Sequence, residues 1–458
     1  MKKISYLLQF IILLITPNLL LSQTSADKIS GMWRGSLITP KGKLDLIFNI
    51  TKEGSNISTK LDVPLQGAKG IPATSSVFRN DSLILQYAMM RAVYKGVYNH
   101  DSLTMDGVWV QNGYTFSLKL RPSNASNTFK RPQEPLKANV YNQEQVTFNN
   151  TKAQIKLAGT FTWPKNKKNC SVVILISGSG PQDRNEEILG HKPFLVMADY
   201  LTKNGIAVLR FDDRGVKEST GSFTSATTSD FATDVEAAMA YLQTRKEINK
   251  NKIGLIGHSE GGMIAPLVAS RSKHVAFVVL LAGPALIGSD LLALQSVYLD
   301  RASGMDEKQI TENMILNKKI YALISSDSAS NEEAIKTELR NNDLSKSEID
   351  AQLEVLKSPW YRHFLSFDPA LYLAKTTCPL FALYGKKDLQ VPYKENLEAI
   401  EKIMKKSNHK IFQTKAYEGL NHLFQHCNTG LPIEYEEIEE TLSNDILNDV
   451  GNWILKLQ

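Results

Sequence analysis

From about residue 141 onward, short runs of consecutive apolar residues alternate with segments whose apolar positions recur every three or four residues. The runs are SVVILIS (171–177), IAVLRFD (206–212), KIGLIG (252–257), VAFVVLLAG (275–283), PLFALYG (379–385) and KIFQTKAY (410–417). Between them lie segments such as PFLVMADYLTKNG and DFATDVEAAMAYLQTRKEI. A run that is apolar throughout predicts a strand buried on both faces, and the amphipathic segments predict the helices that cover it. Just upstream, EQVTFNN and QIKLAGTFTWP predict a pair of strands that opens the sheet. The expected fold class is α/β, a mostly parallel sheet covered on both sides.

One segment breaks the alternation. Residues 285 to about 365 are charged and helical in pattern, with DEKQITENMILNKKIYALIS, NEEAIKTELRNN and SKSEIDAQLEVLKS between two strands. A long insertion above strand ends is where lids sit, so a helical lid is expected; a surface elaboration with no part in binding is the plainer alternative.

Residues 27–122 follow a different period. GMWRGSLIT, KLDLIFNIT, SNISTKLDV, DSLILQYAM, KGVYNHDSLTMDGVWV and YTFSLKLR are short β-rich runs punctuated by Gly, Asn and Asp. They predict a small all-β sandwich or barrel. Trp33, Trp109 and Tyr114 either line a ligand surface there or belong to its core. The polar, proline-containing stretch 123–140 reads as a linker to the domain at 141–458.

The first 26 residues stand apart. A charged MKK precedes ISYLLQFIILLITPNLLL and then SQTSA, the layout of a secretory signal peptide cut after Ser22 or Ala26. Gln9, Pro17 and Asn18 argue against a retained anchor. No other stretch is long and apolar enough to span a bilayer, so the mature chain is expected to be exported, periplasmic or extracellular, without stable membrane insertion.

Charge and cysteine content narrow the classes further. The 458 residues carry a net charge of +6, two units of it from Lys2 and Lys3, and no long basic run, so no nucleic-acid partner is expected. Cys170, Cys378 and Cys427 form no C-x-x-C pair, which excludes a disulfide scaffold and a cysteine zinc site. One bridge is possible in an oxidising compartment; isolated thiols are the simpler reading.

The chemistry concentrates at GHSEGG, residues 257–262. The apolar strand KIGLIG runs into Gly257, and EGGMIAPLVAS after Ser259 reads as a helix. Strand, sharp turn, helix is the setting of a nucleophile elbow, in which small neighbours let a strained serine project its hydroxyl at the sheet edge. A serine needs a base, expected downstream after an acid. Asp388 follows the strand that ends at Gly385, and His422 follows the next strand, so both fall at the edge that carries Ser259. His422 would take the serine proton, and Asp388 would orient the imidazole. His258, beside the nucleophile, points elsewhere by turn geometry. The oxyanion needs two backbone N–H donors. Glu260 is the first by position. Ser179 in the SGSGPQDR loop is the second, with Gly178 the adjacent option.

Together LISGSGPQDR, HKPFLVMADYL, GIAVLRFDDRG, IGLIGHSEGGMIAP, LYGKKDLQVP and GLNHLF resemble the α/β-hydrolase superfamily. They are most similar to its serine-aminopeptidase-like carboxylesterase branch, whose secreted bacterial members carry an extra N-terminal β domain. The likeness is dense over residues 141–458 and loose over 27–122. It implies an α/β-hydrolase fold with a lid, a Ser259–Asp388–His422 triad, and no metal or organic cofactor. Esterases, thioesterases, acyltransferases and peptidases all occur in the family. A carboxylic ester hydrolase acting on short acyl groups, on a small molecule or a polymer-borne ester, is the leading expectation. A serine aminopeptidase or thioesterase with the same triad is the alternative, and a non-catalytic glycan-binding protein is the reading from another class. Two positions depart from the family pattern: Ser177 stands where many relatives have His, and Glu218 stands where a second glycine is common.

Some roles stay open. Asp183, Arg184, His191, Asp213 and Arg214 flank the oxyanion loop, either to anchor substrate or, as preorganised loops require, to brace it. Glu260 should face the pocket, to bind a substrate amine or to hold the loop. In the lid, Trp360, Tyr361, His363 and Phe364 of SPWYRHF are offered as acyl-pocket walls or as ordinary lid packing, with Gly178 a further candidate at the pocket.

Overall fold

A computed structural model describes residues 28–457 except 40–41, 54–55, 64–67, 112–113, 123–129, 136–139, 166, 327–330 and 342–345. The expected signal peptide, 1–26, lies outside the described residues. The chain divides into two compact units that meet in sequence between residues 127 and 128.

The first unit is all-β. Its strands are β1 (Gly31–Thr39), β2 (Gly42–Glu53), β3 (Asn56–Val63), β4 (Ala68–Pro72), β5 (Ser75–Arg79), β6 (Ser82–Tyr87), β7 (Ala92–Asn99), β8 (Thr104–Gln111) and β9 (Tyr114–Pro122). They form one sheet in the order β4-β3-β2-β1-β9-β8-β7-β6-β5. The two edge strands, β4 and β5, are consecutive in the chain. Between them the Ala73 N–H donates to the Thr59 carbonyl (2.8 Å) and the Thr74 N–H to the Gln86 carbonyl (2.7 Å). The backbone thus steps from one sheet edge to the other and rolls the sheet around its own core, leaving little open edge. Sequence patterning missed β4 and β5, because AKGIP is broken by Gly and Pro and SSVFR is too short to show a period. Trp33, Phe48, Tyr87, Tyr94 and Trp109 are all buried and fill the interior. Trp33 and Trp109 are therefore core residues, while Tyr114 is exposed.

The second unit carries an eight-stranded sheet of β10 (Asn142–Asn150), β11 (Ile155–Trp163), β12 (Cys170–Ile176), β13 (Ala207–Phe211), β14 (Ile248–His258), β15 (Val275–Leu281), β16 (Leu380–Gly385) and β17 (Phe412–Tyr417). The order is β10-β11-β13-β12-β14-β15-β16-β17. β10 and β11 pair antiparallel, as does β11 with β13; the remaining pairs are parallel. Every residue of β12, β13 and β16 is buried, as their unbroken apolar runs require. Helices α1 (Pro193–Lys203), α2 (Thr228–Leu242) and α3 (Gly261–Ala269) follow β12, β13 and β14. The order and the helix-covered parallel strands are those of an α/β-hydrolase sheet.

Between β15 and β16 the chain inserts α4 (Gly288–Ala302), α5 (Glu307–Ser325), α6 (Asn331–Arg340), α7 (Lys346–Leu356) and α8 (Pro359–Ser366), then the short α9 (Ala370–Leu373). α4 to α8 build a small core of their own, with Ile320, Tyr321, Ile335, Leu339, Leu353 and Leu365 among its members. α10 (Tyr393–Lys406) bridges β16 and β17, and α11 (Asn444–Lys456) closes the unit. Part of the stretch expected to be a linker is pinned to this unit. The Arg131 guanidinium donates to the carbonyls of Leu189, Glu436 and Ile438 at 3.1, 2.9 and 2.8 Å. Gln133 accepts from the Thr441 and Leu442 N–H groups at 2.7 and 3.0 Å.

Candidate active site

The turn between β14 and α3 is built by steric exclusion. Ser259 sits at φ +52°, in the left-handed region that a residue with a side chain enters only under constraint. The constraint is close approach by glycine backbones. A Cβ on Gly257 would lie 2.0 Å from the Gly261 carbonyl oxygen, and one on Gly261 would lie 2.1 Å from that of Ile176. The Ser259 N–H donates to the Leu281 carbonyl (2.9 Å) and its carbonyl accepts from Gly262 (2.8 Å), so the strained residue is tied on both sides. α3 starts here, with its N-terminus at the serine.

Asp388 and His422 lie in the loops after β16 and β17 and are buried. His422 Nδ1 is 2.8 Å from Asp388 Oδ2. The other carboxylate oxygen, Oδ1, accepts the N–H groups of Gln390 and Val391, each at 2.8 Å, which fixes the carboxylate plane. Ser259 and His422 line one cavity of about 210 Å³. Among the described residues neither Ser259 Oγ nor His422 Nε2 has a hydrogen-bond partner; such bonds often tighten only around substrate.

The cavity is also lined by Gly178, Ser179 and Glu260. The Gly178 N–H is taken: it donates to Glu186 Oε1 at 2.7 Å. Among the described residues no acceptor is paired with the N–H of Ser179 or of Glu260, so these two donors remain available. The Glu260 carboxylate is buried and receives the Thr228 hydroxyl (2.7 Å) and the Trp360 indole N–H (2.9 and 3.0 Å). Burial pushes its carboxyl above the ordinary glutamate value, opposed by the donors from Thr228, Trp360 and Ser179.

The insertion supplies one wall. Leu291, Leu292 and Gln295 of α4 and Trp360 and Phe364 of α8 line the cavity. Tyr361 does not, which corrects its expected place as a pocket wall. It is adjacent to Trp360 on α8 but turns toward Tyr321 of α5, ring centroids 6.3 Å apart, inside the insertion's own core. Successive helical residues point about 100° apart, so neighbours cannot all face the same cavity.

The charged group beside the 177–184 loop forms a brace. Arg184 pairs with Asp212 (2.5 Å) and with Glu218 (2.6 Å), which accounts for the residue in place of glycine. Arg214 pairs with Asp234 (2.7 Å). Asp213 accepts from the Ser177 hydroxyl (2.8 Å) and the Gln182 N–H (3.0 Å). Asp183 Oδ1 accepts the N–H groups of Asn185 and Glu187. His191 is sealed off, with Nε2 2.7 Å from the Tyr435 carbonyl and Nδ1 3.0 Å from the Thr441 hydroxyl. Burial holds it neutral, its pKa lowered to about 4. None of these five residues lines the cavity.

Sequence reasoning missed Glu186, which also sits 2.9 Å from His258 Nδ1. The two are 72 positions apart, and nothing local to either signals the other. Cys170, Cys378 and Cys427 are all free thiols. Among the described residues no group of three His, Cys, Asp or Glu side chains is placed to hold a metal ion.

Comparison with known proteins places the chain in a family. Residues 192–426, just over half of the chain, match the family described as serine aminopeptidase, S33. Esterase EstD of Thermotoga maritima is 27% identical over 303 residues, and the match spans 66% of this chain and 66% of that relative's length. Among solved structures, a Pyrococcus furiosus esterase is 16% identical, covering 69% of this chain and 91% of its own, with a TM-score of 0.43. Est1E of Butyrivibrio proteoclasticus with bound ferulic acid is 19% identical over 68% of this chain and 98% of its own, with a TM-score of 0.44.

Proposed function

Since the chain belongs to the serine aminopeptidase S33 family of α/β hydrolases, we propose that it is an exported serine hydrolase that cleaves carboxylic esters through an acyl-enzyme on Ser259. The observation that carries this reading is the 2.8 Å Asp388–His422 bond beside a serine held at positive φ in the same cavity.

The residues divide the work as follows. His422 Nε2 takes the Ser259 proton as Oγ attacks the ester carbonyl. The oxyanion that forms accepts the N–H groups of Glu260 and Ser179, with the α3 N-terminus behind the first. His422 then passes its proton to the departing alkoxide, the alcohol leaves, and an acyl-serine remains. Water, deprotonated by the same imidazole, releases the acid and restores the serine. Asp388 keeps the imidazole in the tautomer with hydrogen on Nδ1 and balances its charge when both nitrogens are protonated.

Leu291, Leu292, Trp360 and Phe364 make an apolar wall that suits a short acyl chain. An ester is favoured over a peptide because the carboxylate of Glu260, next to Ser259, already receives hydrogen bonds from Thr228 and Trp360. The name of the Thermotoga maritima relative points the same way. Export rests on the N-terminal signal pattern.

The test is a paired assay of the wild type and Ser259→Ala. It offers p-nitrophenyl acetate, butyrate and octanoate beside aminoacyl nitroanilides. Ester turnover that disappears with Ser259, without amide turnover, is the expected result. Amide turnover that requires a free amine would shift the assignment to an aminopeptidase, and full activity in the alanine variant would remove Ser259 as nucleophile.

A further inference from the structure

Beside the triad lies a second imidazole–carboxylate pair that acyl transfer does not consume. His258, the last residue of β14, is buried, with Nδ1 2.9 Å from Glu186 Oε1 and Nε2 3.0 Å from the backbone carbonyl of His422. A carbonyl only accepts, so Nε2 carries a hydrogen. Glu186 Oε1 also accepts the Gly178 N–H at 2.7 Å. Its other oxygen, Oε2, is buried with no partner among the described residues. Burial works against the charged imidazole, but Glu186, the His422 carbonyl and Asp388 together outweigh it and leave the His258 pKa raised. The His258 and His422 ring centroids are 4.8 Å apart.

We propose that Glu186 and His258 are positioning residues: one network ties the oxyanion loop at Gly178, the nucleophile turn at His258 and the backbone of His422. The inference rests on the triad reading above. One carboxylate oxygen and one imidazole thereby span chain positions 178, 186, 258 and 422, so the donor that meets the oxyanion and the imidazole that moves the proton keep their separation. Glu186, His422 and Asp388 are the titratable groups that face His258. Pro193, Phe194 and Met197 of α1 and Leu281 of β15 enclose the pair with apolar surface. Glu260 lines the cavity that Glu186, His258 and Ser259 also line.

Glu186→Gln, His258→Gln and the double variant test this, with Ser259→Ala as the control. Two readouts are followed: the rate at which a fluorophosphonate labels Ser259, and turnover of p-nitrophenyl acetate. The labelling rate should fall together with kcat. kcat should fall about tenfold to a hundredfold with KM within about twofold, and the double variant should be no worse than the poorer single one. Gln at 258 still reaches the His422 carbonyl, and Glu186→Gln leaves His258 in place, so either variant carries the test if the other does not fold. Folded variants with a lower melting temperature but an unmoved kcat would reduce the pair to a structural contact. A wild type in which Ser259 is not labelled, or a Ser259→Ala form that keeps turnover, would overturn the triad reading and this inference with it.

Discussion

The indole N–H of Trp360 lies 2.9 Å from one carboxylate oxygen of Glu260 and 3.0 Å from the other. This bond joins α8 of the insertion to the residue that follows Ser259 and ties the wall of the cavity to it. Among the described residues Glu260 has no salt-bridge partner, so its buried oxygens depend on the donors from Trp360, Thr228 and Ser179.

Trp360→Phe keeps the ring that stacks on Phe364, centroids 5.0 Å apart, and removes only the donor. The expected cost is about 1–2 kcal/mol of unfolding free energy for a buried acceptor left short of a partner. KM for p-nitrophenyl butyrate should rise several-fold, with a smaller change in kcat, because the wall loosens and the triad does not. Steady-state kinetics and urea unfolding measure the two effects. An unaltered KM would mean that the indole bond does not hold the wall.

Asp388→Asn should leave the fold intact and lower kcat by about 10⁴-fold. The Gln390 and Val391 N–H groups hold Oδ1, so the new amide N–H₂ must face His422 Nδ1. An N–H donor there forces the imidazole hydrogen onto Nε2, where it blocks proton uptake from Ser259. Circular dichroism alongside kcat separates this from unfolding.

His191 predicts a loss of stability in acid. Its pKa is about 4 in the folded protein against an ordinary 6.5. The unfolded chain therefore takes up this proton first as pH falls. The stability contribution is whole above pH 6.5 and is lost as pH drops toward 4, by about 3 kcal/mol at most. Urea midpoints at pH 7, 5.5 and 4.5 should fall more steeply for the wild type than for His191→Asn. Parallel slopes for the two proteins would contradict it.

Arg131→Ala should act far from its own neighbours in sequence. Its guanidinium serves carbonyls in the 189–190 turn and in the 436–438 loop. Losing it should cost about 2 kcal/mol and open residues 427–443 to proteolysis, with cleavage sites mapped by mass spectrometry. A wild-type digestion pattern in the variant would restore the passive-linker reading of this stretch.

What the sequence by itself determined was local. The central strands β12, β13 and β16 were legible to within a few residues because burial on both faces writes a dense apolar run. The turn at Ser259 was legible because only glycine fits where Gly257 and Gly261 meet backbone at 2.0 and 2.1 Å. Asp388 and His422 stood out because each follows the end of a readable strand. The tertiary structure alone decided which loops meet. It paired Glu186 with His258, Arg184 with Asp212, and Arg131 with carbonyls some 300 positions away. It turned Tyr361 into the insertion's core and Trp360 toward Glu260. Burial imposes a period on a helix or strand and so leaves a trace along the chain. A hydrogen bond between two loops imposes none, because its partners are chosen by proximity in space.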